Sequence, residues 1–316
     1  MANEYAIPST IDSVIATSLA DYSPTLTDNA YNRNVLLSTL KPYKRMIDGG
    51  STIVYSLIKT DQNNGGFYLG AGNLNTNQDD TETLVEYRYQ NLYEPIQLTR
   101  DEERQNSGDK HRIINLMEDK IQRSELAISK RLEQSLSTSV AGSNNLINLE
   151  TLVATGTLGT VAGGTDTFWQ ATVTASGSFA AQGRSDMTTA FYAVASSADS
   201  DTPTHLVTNK TIFQYYENTL LPTERHQSAE LTVNSGARNL TFKGVPIIYG
   251  NFIGSGLMFG LNMNYNDLCV DTETDFATTQ WLMPVNQTVK VAFVLWRGNH
   301  VTSNRRRNFK LTGITA

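Results

Sequence analysis

The spacing of apolar residues changes period several times along the chain, and each change predicts a different element. Thr52 to Lys59 alternates, with Ile53, Tyr55 and Leu57 on one face. Leu84 to Pro95 alternates more cleanly. Val85, Tyr87, Tyr89 and Tyr93 share one face, and Glu86, Arg88 and Gln90 share the other. Between these runs, Asp61 to Glu82 is dense in Asn, Gly, Asp and Thr, and Gly49-Gly50 punctuates the start. The pattern predicts one long β-hairpin over 46–98 with a solvated tip. A two-stranded ribbon is marginal alone in water, so its aromatic face is expected to lie on another protein surface.

At residue 99 the period becomes helical. Thr99 followed by Glu102 is a capping box, and Asp109 is placed to cap a second helix. Ile114, Met117, Ile121, Ile128, Leu132 and Leu136 then recur at three- and four-residue steps, with Ser124 and Glu125 breaking the stripe. Glu118, Asp119, Lys120, Arg123, Lys130, Arg131 and Glu133 are assigned to the other, charged faces. Near 28 residues, this helix would be about 40 Å long. Residues 138–183 hold only two charges, Glu150 and Asp166, and read as an ordered, loop-rich region. A helix follows over Asp186 to Ser196, then a strand at His205 to Thr208. Asn209 caps a helix from Lys210 to Leu221, which stops before Pro222. Short strands are predicted at 240–243, 245–249, 257–261, 268–271 and 289–296. The end, Arg305-Arg306-Arg307 and Phe309 to Thr312, reads as a basic, strand-like tail. Residues 1–45 read as an extended arm with a short helix near Asn29 to Leu40. No repeat of solenoid period is found.

Composition narrows the classes of function. Of 316 residues, Thr, Asn and Ser account for 38, 27 and 24, and charged residues for 18%, against a typical ~25%. The net charge of −6 argues against gripping nucleic acid through its phosphates. Cys269 is the one cysteine, so no intramolecular disulfide exists. Met1 to Tyr5 lacks a basic, then apolar, leader pattern. The longest strongly apolar run, Val291 to Trp296, is far short of a membrane span. A soluble protein not exported by the usual route is expected.

No catalytic constellation emerges. His111, His205, His226 and His300 are isolated, with no HExxH motif and none at metal spacing from Cys269. There is no G-x-S-x-G elbow and no phosphate loop. Gly254-Ser-Gly256-Leu-Met-Phe-Gly260 has the wrong spacing for a dinucleotide site and lies among strands. Asn73, Asn75, Asn77 and Asp79 alternate like calcium ligands but lack the acid and glycine positions of an EF-hand. Asp79, Asp80 or Glu82 could form a looser ion site at the tip, but a solvated loop accounts for them better. The expectation is no catalytic residue, no cofactor and no metal. The arginine triplet suits a subunit contact or a solvated tail better than nucleic acid. The tyrosine face suits protein packing better than base stacking.

The order of parts, an arm, a long hairpin with a Gly/Asn-rich tip, a long capped helix, a nearly uncharged stretch, a mixed α/β region and terminal strands, resembles the major capsid protein of tailed bacteriophages, whose shell fold is shared with herpesvirus capsid proteins. Local residues resemble that family too. They are Ile47-Asp-Gly-Gly-Ser-Thr-Ile53, Arg100-Asp-Glu-Glu with Asn106 and Gly108, Val161-Ala-Gly-Gly-Thr-Asp166 with Phe168-Trp169, Phe242-Lys-Gly-Val-Pro-Ile-Ile248, and Leu257-Met-Phe-Gly-Leu-Asn262.

The resemblance implies an α+β fold with an N-terminal arm (1–45), an extended hairpin loop (46–98), a peripheral domain with a spine helix (99–140), a mainly axial domain (141–290) and terminal strands returning to the peripheral domain (291–316). It implies a structural, non-enzymatic subunit, assembled in host cytoplasm as hexamers and pentamers into an icosahedral virion shell. The shell would enclose DNA without sequence-specific binding and without a membrane. Tyr87, Arg88, Tyr89, Tyr93, Arg100, Glu102, Arg305, Arg306 and Arg307 are the residues expected at subunit interfaces. The short run before the hairpin leaves no room for an internal scaffold segment, so a separate scaffolding protein, or a self-sufficient chain, is expected, with a portal during assembly. Lys59, the lone lysine of 46–98, lies near a strand end, so no covalent cross-link is expected. The alternative is a β-rich virion fibre or carbohydrate-binding module, which leaves the long helix unexplained. An enzyme whose Asp, His and Ser meet only on folding has no support beyond the presence of those residues.

Overall fold

The computed structural model describes residues 34–60, 64–70, 72, 74–77, 79–106, 110–138, 144–195, 201–220, 240–285 and 287–316, without the side chains of 103, 105, 106 and 110–119. The predicted Asp109 cap, the stripe positions Ile114 and Met117, and residues 1–33 of the arm lie outside these.

The chain opens with α1 (Val35–Leu40), then β1 (Lys44–Ile47), β2 (Thr52–Ile58), β3 (Glu82–Arg88) and β4 (Gln90–Thr99). Two helices follow, α2 (Arg100–Asn106) and α3 (Lys110–Ser137), the second being 28 residues long. The capping box forms as the spacing predicts. The Thr99 N–H donates to Glu102 Oε2 at 3.0 Å, and the Glu102 N–H donates back to Thr99 Oγ1 at 3.4 Å. Lys120 Nζ also reaches Glu102 Oε2 at 2.7 Å, joining the two helices. Both contacts favour the ionised form, and Glu102 sits at about 2.

A four-stranded sheet, ordered β1-β10-β11-β4, is built with β10 (Asn266–Thr278) and β11 (Val289–Thr302). Helix α3 covers one of its faces. Ile121, Ile128, Leu132 and Leu136 are buried in one cluster with Ile96, Ala292, Val294, Trp296 and Phe276. Leu36, Leu37 and Leu40 of α1 belong to that same cluster. Residues 34–47 are therefore part of the body rather than of an arm, because three leucines on one helix face and a parallel strand pairing hold them there.

The second sheet has six strands, ordered β5-β12-β9-β6-β8-β7. These are β5 (Thr172–Ala175), β6 (His205–Thr208), β7 (Leu240–Phe242), β8 (Val245–Tyr249), β9 (Met258–Leu261) and β12 (Phe309–Thr312). Its central strands are apolar on both faces. After the short helix α4 (Leu149–Leu152) come α5 (Arg184–Val194) and α6 (Lys210–Thr219), and Leu206, Ile247 and Met258 face a cluster with these last two. Their neighbours Val207, Ile248 and Phe259 face the α3 core. No charged residue lies between Lys243 and Asp267, and the double burial of β8 and β9 within that run accounts for this. Asn209 caps α6, accepting from the Ile212 N–H at 2.9 Å. Lys243 and Gly244, at φ +52° and +83°, form the two-residue turn between β7 and β8.

Two predicted boundaries are corrected. The hairpin is β2 paired with β3, from Thr52↔Arg88 to Ile58↔Glu82, and does not run over 46–98. The alternation continues past Tyr89, but β4 pairs with β11 from Gln90↔Gly298 to Thr99↔Val289. The terminal strands also divide. β11 joins the α3 sheet, whereas β12 lies between β5 and β9 in the six-stranded sheet. Within 141–290, β10 belongs to the four-stranded sheet.

Gly260, one of the glycines that mimic a dinucleotide motif, serves packing. A Cβ there would lie 2.0 Å from the Phe309 ring, which is fully buried. Gly260→Ala is expected to destabilise the fold by roughly 1–3 kcal/mol through overpacking. A fall in the urea midpoint with unchanged slope would record it.

Candidate functional site

The two faces of the β2–β3 hairpin differ. Ile53, Leu57, Val85 and Tyr87 are buried against Leu158, Val161, Trp169, Cys269 and Val301. The inner face thus packs on the body of its own chain rather than on another protein surface. On the opposite face Val54, Ile58 and Leu84 are exposed. At the tip, Phe67 and Leu69 are essentially fully exposed, and Tyr68 and Leu74 are exposed too. Asn64 and Asn75 order part of this tip. Asn64 Nδ2 donates to the Asn77 carbonyl at 2.6 Å, and Asn75 Nδ2 donates to Asn64 Oδ1 at 2.7 Å. The tip thus carries apolar side chains that the other described residues leave uncovered.

The expected interface residues separate by burial. Tyr87 is corrected: it is buried in the chain, and its hydroxyl donates to the Thr302 carbonyl at 2.8 Å. Arg305 is corrected too. It is fully buried and donates to the carbonyls of Leu152, Gly156, Thr151 and Trp169. The body covers both side chains, so neither reaches a neighbour. Tyr89 is half-buried beneath the Arg297 guanidinium, 4.4 Å from its ring centroid. Tyr93 is 61% exposed and meets Phe293 edge-on. Arg88, Arg100 and Arg306 are exposed, and Glu102 serves the capping box. Arg307 is half-buried, donating to the Val194 carbonyl at 3.1 Å near Asp201.

Burial favours the neutral forms of the described thiol and imidazoles. Cys269 is buried, and burial pushes its thiol up to about 11. His300 is fully buried and His205 half-buried, and burial lowers each to about 4. His226 lies outside the described residues, as does the side chain of His111. Asp79, Asp80 and Glu82 do not form a three-ligand group, and none occurs among the described residues. A cavity of about 320 Å³ lies between β4 and the end of α3. Leu92, Leu132, Leu146 and Trp296 line it together with amides, and its one charged wall residue, Arg131, pairs with Glu94 at 3.4 Å.

Glu133 corrects the predicted charged face of α3. It is buried with Oε2 unpartnered, and burial raises its carboxyl to about 7. The folded state therefore holds this proton more tightly than the unfolded chain does. Its stabilising contribution is complete below about 4.5 and is lost as pH rises towards 7. Glu133→Gln is expected to be more stable than wild type at pH 8, with the difference vanishing near pH 4. Paired melts across that range test this.

No family model matches the chain, and no curated protein sequence matches it. Solved structures do. The capsid asymmetric unit of cyanophage A-1(L) aligns with a TM-score of 0.63 at 14% identity, covering 89% of this chain and 93% of that one. The capsid of a native GTA particle aligns at 0.59 and 13% identity, over 88% and 90%. A chain from Mycobacterium phage Adephagia aligns at 0.57 and 12%, over 88% and 90%. The chain has an α+β fold of the phage-capsid kind. More particularly, it has the shell fold of tailed-phage major capsid proteins, matched across both sheets rather than one domain.

Proposed function

We propose that this chain is the structural subunit of an icosahedral virion shell, built from hexamers and pentamers of itself and enclosing phage DNA. The carrying observation is the likeness to capsid subunits over nine-tenths of the chain. The hairpin supports it, because its exposed face and tip leave apolar surface uncovered in the single chain. On this reading the α3 sheet is the peripheral domain and the six-stranded sheet the axial domain. The hairpin overlaps an adjacent copy, and Tyr93, Arg88, Arg100 and Arg306 lie at or near contacts. A separate scaffolding protein and a portal act during assembly in the host cytoplasm. The acidic net charge suits a container that must not adhere to the DNA it holds. The subunit performs no catalysis, and Lys59, paired through its backbone at the strand end, forms no cross-link.

Light scattering followed by negative-stain microscopy tests the reading. Rings of five and six subunits, or hollow shells, are expected. A 35 kDa monomer at high concentration, unchanged by scaffold, would overturn it.

A further inference from the structure

The root of the hairpin is held by a charged pair that its own strands do not supply. The chain enters β2 through Gly49 and Gly50, at φ +65° and +93°. A Cβ would meet nothing within 4 Å at Gly49, so conformation rather than space calls for glycine there. Asp271, from β10, accepts from the Gly49 N–H at 3.2 Å and from Thr274 Oγ1 at 2.8 Å. Arg297, from β11, donates to Asp271 Oδ2 at 3.5 Å and to the Gly50 carbonyl at 2.7 Å. Its guanidinium stacks on Tyr89, whose hydroxyl donates to the Gly49 carbonyl at 3.3 Å. Tyr89 is the residue between β3 and β4, where the chain leaves the hairpin. Entry and exit are thus tied to one carboxylate and one guanidinium. Both come from the point where β10 breaks register against β11, between Val270 and Asp275. A bulge there re-aims side chains out of the ladder.

We propose that Arg297 and Asp271 are positioning residues that set the direction in which the hairpin leaves the body, and so which neighbouring surface it reaches. This rests on the shell reading. The planar guanidinium suits the role because it bonds Asp271 and Gly50 while its face stacks on Tyr89, which a lysine cannot do. The buried inner face holds the ribbon against the body, and the pair fixes the angle at its root.

The full-length chain carrying Arg297→Gln is compared with wild type, and Asp271→Asn, which keeps the volume, is the second variant. Three readouts are taken: melting temperature, amide exchange over 52–58 and 82–88, and particle size by negative stain. The expected result is a melting temperature near wild type, hairpin amides exchanging about tenfold faster, unchanged exchange in α3, and particles of mixed size. Unchanged hairpin exchange, or uniform wild-type particles despite faster exchange, would overturn the proposal. Unfolding of both variants would also overturn it, by making the pair a stability element of the body. If wild type forms no particles, the shell reading fails, while the exchange measurement still decides whether the pair holds the root.

Discussion

Arg305→Ala is expected to remove about 3–5 kcal/mol of folding stability, because it deletes a buried donor that satisfies four carbonyls. The guanidinium is fully buried, and burial lowers its pKa to about 10, so it remains charged at neutral pH. Nε donates to Leu152 O at 2.7 Å, one terminal nitrogen to Gly156 O at 2.5 Å and Trp169 O at 3.3 Å, and the other to Thr151 O at 2.6 Å. These carbonyls belong to the charge-poor segment that packs beneath the hairpin. Alanine would strand all four in a cavity, each orphan costing about 1–3 kcal/mol unless water enters. Arg305→Met fills the volume but supplies no donor and is expected to lose nearly as much. Chemical denaturation measures it. An unchanged midpoint would mean that water satisfies the carbonyls. The defect belongs to the single chain and precedes any assembly.

The second large effect leaves the chain intact. Phe67→Ser combined with Leu69→Ser is expected to change the melting temperature little, since none of the described residues covers either side chain. Assembly should suffer. Burying one such side chain contributes about 1.5–3 kcal/mol, and in a closed shell the loss recurs in every copy. The concentration at which particles appear should rise at least about tenfold, a change that ~1.4 kcal/mol per contact suffices to produce. Static light scattering over a concentration series reads this directly. Particles forming at the wild-type concentration would show that no neighbour covers the tip.

The Thr99–Glu102 box and the Asn209 cap were legible because each is decided within four residues. The 28-residue helix and most strands were legible from their period alone. The sequence was misleading where a residue's type and its burial disagree. Glu133 looks like a member of a charged helix face, yet it is buried. Arg305 looks like the start of a basic tail, yet it anchors a core segment. Asn266 and Asn308 contribute to a polar-rich composition, but both are fully buried and bonded to each other, Asn266 Nδ2 to Asn308 Oδ1 at 2.8 Å. Nothing at these positions announces a buried partner, because the partner lies 42 residues away in that pair.

The hairpin root shows the same division. Gly49-Gly50 marks a turn, but only the folded chain brings Asp271 and Arg297 to it. By itself the sequence determined the local elements, their caps and their order, since those depend on near neighbours and on periodicity. The tertiary structure decided that β4 leaves the hairpin for β11, that β12 crosses to the six-stranded sheet, and which ionisable groups are buried. Strand pairing and burial join distant residues, and their energies depend on what packs opposite, which no local pattern records.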